Sequence, residues 1–188
     1  MSRAATSLIA IRLRDAWANA IAAFEGRLVG LGLRGPPCVR RAAAHWRNGV
    51  TYVHAMGRRP SGASVQMPPV LRFEIGASAP EIGTAVLQSL AAYREGVSHP
   101  HARSLAAKAR FLDFLRLLDA RTNAEMMKGG KLVSVESTSD AIRLMPWRNA
   151  GARHGFTGMP LEAVLELPAD ASPGDLGKAL AEAFARCG

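Results

Sequence analysis

Val70-Leu-Arg-Phe-Glu-Ile-Gly-Ala-Ser-Ala-Pro-Glu-Ile-Gly-Thr-Ala-Val-Leu87 decides the reading of this chain, because a second stretch repeats its plan. That stretch is Val164-Leu-Glu-Leu-Pro-Ala-Asp-Ala-Ser-Pro-Gly-Asp-Leu-Gly-Lys-Ala-Leu-Ala181, and the two align without a gap with Gly83 on Gly177. In the first, Leu71, Phe73 and Ile75 alternate with Val70, Arg72 and Glu74. A period of two is a strand with one covered face. A serine follows in each, Ser78 or Ser172, with an acid three residues on, Glu81 or Asp175. That spacing is a capping box, strict with glutamate and approximate with aspartate. Pro80 and Pro173 fall in the first turn, where no helical hydrogen bond is lost. The period then becomes helical, through Ile82, Val86, Leu90 and Tyr93 and through Leu176, Leu180, Phe184 and Cys187. Glycine inside a helix costs roughly 1 kcal/mol against alanine. Its presence at the same place in both units predicts a close approach of helix to strand.

Outward from these units the chain mixes hairpins with strand–helix steps. Val50–Ala55 reads as a strand by its β-branched and aromatic content, and Arg58-Arg-Pro-Ser-Gly62 as a loop. Lys131–Glu136 and Ala141–Met145 form a hairpin around Ser137-Thr-Ser-Asp140, with Pro146 ending its second strand. Ala102–Arg121 is the longest predicted helix, with Leu105, Ala109, Leu112, Leu115 and Leu118 on one face, widened by Phe111, Phe114 and Leu117. Asp15–Glu25 is a shorter amphipathic helix carrying Trp17, Ile21 and Phe24, and Trp147–Pro160 is glycine-rich and irregular. The pattern predicts one domain over residues 1–188, of α+β or α/β class, with a mixed sheet of about five strands and helices packed on it.

The bulk numbers bound function. A chain of 188 residues with 48% hydrophobic content buries a sizeable core. No apolar run approaches the ~20 residues of a membrane span, so no membrane partner is expected. The N-terminus is interrupted by Arg12, Arg14 and Asp15 and reads as mature sequence. Two cysteines, Cys38 and Cys187, make no disulfide framework, so free thiols in the cytoplasm are the expectation.

Motifs for chemistry are weak throughout. Gly30-Leu-Gly-Leu-Arg-Gly35 matches a dinucleotide fingerprint, but Pro36-Pro37 follows and the acid for the ribose is missing, so we read a glycine turn. A helical stripe of Val39, Ala43 and Trp46 runs on from it. Met126-Met-Lys-Gly-Gly-Lys131 lacks the rest of a phosphate loop. Ser64 sits in no nucleophile elbow. His99 and His101 have no third metal ligand nearby and read as a solvated loop. No catalytic, metal or cofactor residue is assigned. An enzyme with a site assembled in space near His99, His101 or His154 stays open.

Charge is the stronger signal. The net charge is +9, and between Gly26 and Phe73 lie eight arginines and no acid. With Trp46 and Tyr52 interleaved, this stretch offers phosphate contacts and base stacking, an alternative role in nucleic-acid binding. An arginine-rich, solvated surface accounts for it equally well. From Thr157 the balance reverses, with Glu162, Glu166, Asp170, Asp175 and Glu182 against Lys178 and Arg186. Such a polar molecule can steer a charged partner.

The C-terminal half carries a resemblance. Phe111 and Leu112 on a helix, the strand Lys131-Leu-Val-Ser-Val135 and Ala141-Ile-Arg-Leu-Met-Pro146 come first. Gly155-Phe-Thr-Gly158 and Ala171-Ser-Pro-Gly-Asp-Leu-Gly-Lys-Ala-Leu180 complete the order. Over roughly residues 105–188 this resembles the CdiI-type immunity proteins of bacterial contact-dependent growth inhibition systems. The resemblance implies a cytoplasmic, non-catalytic protein without a cofactor. It would bind and neutralise the C-terminal toxin domain of its cognate effector, typically a nuclease, by stoichiometric occlusion. The family's motifs are structural and give no contact residues. Charge instead nominates Glu162 and Glu166 at the acidic end and Arg58 and Arg59 in the basic loop as toxin-binding residues. Inhibitors of nucleases are often acidic, whereas this chain is basic, so the acidic end or an acidic toxin surface is needed to reconcile the two.

Overall fold

The computed structural model describes residues 39–98, 100 and 104–188. The predicted helix at 15–25, the glycine motif at 30–35, Cys38, His99 and His101 lie outside them.

The first half is a meander of β1 (Arg40–Arg47), β2 (Val50–Arg58) and β3 (Ser64–Phe73), followed by α1 (Ala79–Ala91). A two-residue strand, β4 (Arg94–Glu95), then leads to α2 (Leu105–Leu117) and α3 (Asn123–Met127). The second half is β5 (Lys131–Ser137), β6 (Ala141–Asn149), α4 (Gly151–His154), β7 (Phe156–Gly158), a single 3₁₀ turn at Leu161–Ala163, β8 (Leu165–Pro168) and α5 (Pro173–Arg186). All eight strands join one sheet in the order β3-β2-β1-β5-β6, with β7 and β8 both paired to β6 and β4 paired to β2. Every pairing is antiparallel except β2 with β4. Read outward from the β1–β5 boundary, each half has the same order of three strands and ends in a helix. The class is mixed α+β, as expected.

Three strands exceed the expected five: β1, β4 and β7. The stripe of Val39, Ala43 and Trp46 belongs to strand β1, not to a helix. Ala42, Ala43 and Ala44 are all buried, so both faces of β1 are covered and no alternation is legible in the sequence. β4 and β7 have only two and three residues and form because a neighbour is there to pair with. Pro146 does not end β6. It pairs opposite Val133 and lies between the reach of β8, which stops at Leu144, and that of β7, which starts at Trp147. No neighbouring strand on that edge needs its missing N–H.

One face of the sheet presents Ala42, Ala44, Val53, Val133, Val135, Ile142 and Leu144 to α1 and α5. These two helices are the repeated units, and their caps form as read. Ser78 Oγ accepts from Glu81 N while Glu81 Oε2 accepts from Ser78 N at 2.8 Å. Ser172 Oγ accepts from Asp175 N, but the shorter Asp175 takes the Ser172 hydroxyl instead, at 2.6 Å. The paired glycines have a different reason from the expected one. A Cβ on Gly83 would fall on the Pro173 carbonyl oxygen, and one on Gly177 on the Ala79 carbonyl oxygen. The close approach is between the helices. It is reciprocal, since each glycine faces the first residue of the other helix.

On the opposite face, α2 packs Phe114, Leu115 and Leu118 over Tyr52, with Met126 and Met127 of α3 completing a second cluster. The expected apolar face of this helix is therefore only partly the buried one. Leu105 is 86% exposed and Leu117 53%, while Phe111 and Leu112 are also exposed. Under α2, His45 and His54 stack at 5.4 Å between ring centroids, and Phe114 meets both edge-on. Burial pushes His45 down to about 3, helped by the neighbouring His54, and pushes His54 down to about 4.

Candidate interaction surface

Helix α2 covers the second face only over the β1–β2 end that carries Tyr52, His45 and His54. Alternation then decides which residues share the uncovered remainder. Tyr52 and His54 face α2, so Met56 and Arg58 point the same way. On β1 the same face carries Arg41, Ala43 and His45. On β5 it carries Leu132, Ser134 and Glu136, and on β6 Arg143, Met145 and Trp147.

Register sets these side chains in cross-strand rows. One row runs Arg41–Glu136–Arg143–Glu166 over β1, β5, β6 and β8, each residue directly opposite the next. Arg41 Nε bonds Glu136 Oε1 at 2.8 Å, and Arg143 Nε bonds Glu166 Oε2 at 2.7 Å. Past β1 the pairing changes. There β1 parts from β2 after the Ala42–Ala55 pair, and β4 takes its place, setting Glu95 opposite Arg58. Tyr93 fits between: its hydroxyl donates to Glu95 at 3.3 Å and it feels the charges of both Arg41 and Arg58. Signs alternate along the row from Arg41 through Glu136 and Arg143 to Glu166. At about 4.8 Å per strand the row is about 14 Å long.

Beside it, Ala43, Ser134 and Met145 stand opposite one another, then His45, Leu132 and Trp147. Trp147 Nε1 donates to Ser134 Oγ at 2.8 Å. Leu132, Met145 and Trp147 are half-buried and belong to neither core cluster. Among the described residues this half-face is thus left open, as an apolar step bordered by alternating charges.

Of the nominated residues, Glu166 ends the row, and Arg58 lies on the same face opposite Glu95 of β4. Arg59 begins the turn after β2, closed by Arg59 N to Ala63 O at 2.9 Å, and lines a hollow with Arg58 and Glu95. Glu162 lies apart, exposed on the 3₁₀ turn between β7 and β8. Sequence reasoning missed Arg41, Glu136 and Arg143. The last two were accessible, since a tight hairpin sets Glu136 against Arg143. Arg41 was not, because β1 was unrecognised.

The arginine-rich stretch is divided by the fold. Arg41 pairs with Glu136, Arg47 donates to Asp119 O at 2.6 Å and reaches Glu125, and Arg72 holds Glu74 and Asp119. Tyr52 is buried, with its hydroxyl on Asp119 at 2.7 Å, and Trp46 packs against the first core. The aromatic side chains nominated for base stacking are therefore turned inward. His154 is exposed on α4. Two further hollows occur: a groove of ≈ 810 Å³ between β3 and α2, floored by Val65, Met67 and Phe114, and a cleft of ≈ 310 Å³ between α1, α5 and Lys131. Among the described residues no helix is long and apolar enough to cross a membrane.

Comparison with known proteins places this geometry. No curated protein matches the chain. A Neisseria meningitidis protein of unknown function, NMB0488, superposes with a TM-score of 0.67 at 17% identity, over 80% of this chain and 96% of that one. The CdiA-CT/CdiI toxin and immunity complex from Yersinia pseudotuberculosis contains a chain similar at TM-score 0.67 and 18% identity, over 80% of this chain and 98% of that one. At such identities the likeness is one of fold. The CDI immunity protein family itself matches residues 66–187, from the β3 strand through the last turn of α5. With most of the chain and both repeated units inside that match, this protein belongs to the CDI immunity protein family.

Proposed function

We propose that this chain binds the C-terminal toxin domain of its cognate contact-dependent growth inhibition effector in the cytoplasm and neutralises it by stoichiometric occlusion, with no chemistry of its own. Family membership over residues 66–187 is the observation that carries the reading. A nuclease is the toxin activity we favour. Arg58 and Arg59 at one side and Glu162 and Glu166 at the other are the contacts we assign. A charged rim of both signs suits them to steering and orienting a protein partner more than to supplying raw affinity.

The test is titration calorimetry of the chain with the toxin domain encoded beside it. A 1:1 complex with a dissociation constant on the order of 1 nM is expected. Glu162→Lys/Glu166→Lys and Arg58→Glu/Arg59→Glu then ask which rim is used, and at least one is expected to slow association. Unchanged binding by both would remove the electrostatic part of the proposal.

A further inference from the structure

The geometry points to the uncovered half-face, from the row Arg41–Glu136–Arg143–Glu166 to the step of Leu132, Met145 and Trp147, as the docking surface for the toxin domain, read through the order of its charges. This rests on the immunity reading and specifies where and how the partner is recognised.

Three observations support it. First, the sheet is built from two similar halves, yet among the described residues no long helix lies over this face of the second half. That half leaves half-buried apolar side chains outside both cores. An apolar centre within a charged rim is the anatomy of a protein–protein interface. Second, the outer pair of the row is poorly explained as a stabilising device. Arg143 and Glu166 are 53% and 56% exposed, where an ion pair contributes little. Third, the row alternates in sign. A polyanion gains nothing over its length, because each guanidinium sits beside a carboxylate of this chain. A folded protein whose acids and bases alternate in the opposite order gains at every position, and a partner with another order is repelled. The occupant is therefore a protein surface of alternating charge with an apolar side chain to set on Met145.

A swap separates recognition from structure. Arg143→Glu/Glu166→Arg keeps the cross-strand ion pair of β6 and β8 but inverts its polarity, which breaks the alternation of the row at Glu136. Its thermal unfolding is expected to fall only slightly, since the like charge set opposite Glu136 lies at a partly exposed edge and the β6–β8 ion pair is kept. Its affinity for the toxin domain is expected to fall on the order of tenfold or more, as for the single variant Glu166→Arg. Parent-like affinity in the swap would overturn this surface while leaving the immunity reading intact. No binding by the parent chain would overturn both. Binding of a single-stranded RNA oligonucleotide that the swap weakens equally would overturn the choice of a protein occupant.

Discussion

Gly83 and Gly177 show how one missing methyl group fixes the arrangement of two helices. Each Cα lies against a backbone carbonyl of the neighbouring helix, which no rotamer change can move aside. In an isolated helix Gly→Ala is favourable by about 1 kcal/mol. Here overpacking of a backbone contact, typically 1–3 kcal/mol, outweighs it. Gly177→Ala and Gly83→Ala are each expected to destabilise the chain by about 2 kcal/mol in urea unfolding. Neutral or stabilised variants would show that the helices part easily. The buried histidines make a second prediction at this scale. His54 Nδ1–H donates to the Ala55 carbonyl at 3.0 Å, and Nε2 is buried without a partner. Both rings titrate far below an unfolded histidine, whose value is 6.5. Below that value the unfolded chain binds protons that the folded chain refuses. Their stabilising contribution is complete above pH 6.5 and is lost as pH falls towards 4, at up to ~1.4 kcal/mol per pH unit for each ring. Glu81, Asp119 and Glu125 also sit below their ordinary values of 4.5, 3.8 and 4.5, so they contribute their own loss only at lower pH. His45→Phe/His54→Phe is expected to flatten stability between pH 6.5 and 4.5, and an unchanged slope there would contradict the assignment.

At the scale of elements, the caps were legible because they depend on residues three apart, and so was the change of period behind them. Ser78→Ala and Ser172→Ala are each expected to cost about 1 kcal/mol with an unchanged denaturant slope. No loss from either would mean the caps hold nothing. What the sequence hid was non-local. β1 has alanines on both faces and no legible alternation. Pro146 reads as a stop but sits where the sheet leaves its edge open. The face of α2 that meets the core is chosen by Tyr52 and the two histidines, not by its leucines alone, which is why Leu105 and Leu117 are exposed. The candidate surface follows the same division. Its hairpin pair, Glu136 and Arg143, can be inferred from a short loop. Arg41 and Glu166 join them only through strands paired across the chain.

For the whole molecule, two halves built alike and joined between β1 and β5 give a broad sheet with unequal faces. Helices α1 and α5 close one face. Among the described residues the other is half closed by α2 and half left to alternating charges. The basic net charge of +9 that first suggested nucleic acid is divided by this assembly, since several arginines are spent on acids of the same chain. The measurement that decides the central claim is growth of a host producing the neighbouring toxin domain, with and without this chain. Growth arrest by the toxin alone, rescue by this chain, and recovery of the two proteins together at a 1:1 ratio are expected. A toxin domain that still arrests growth beside abundant, folded chain would contradict that claim.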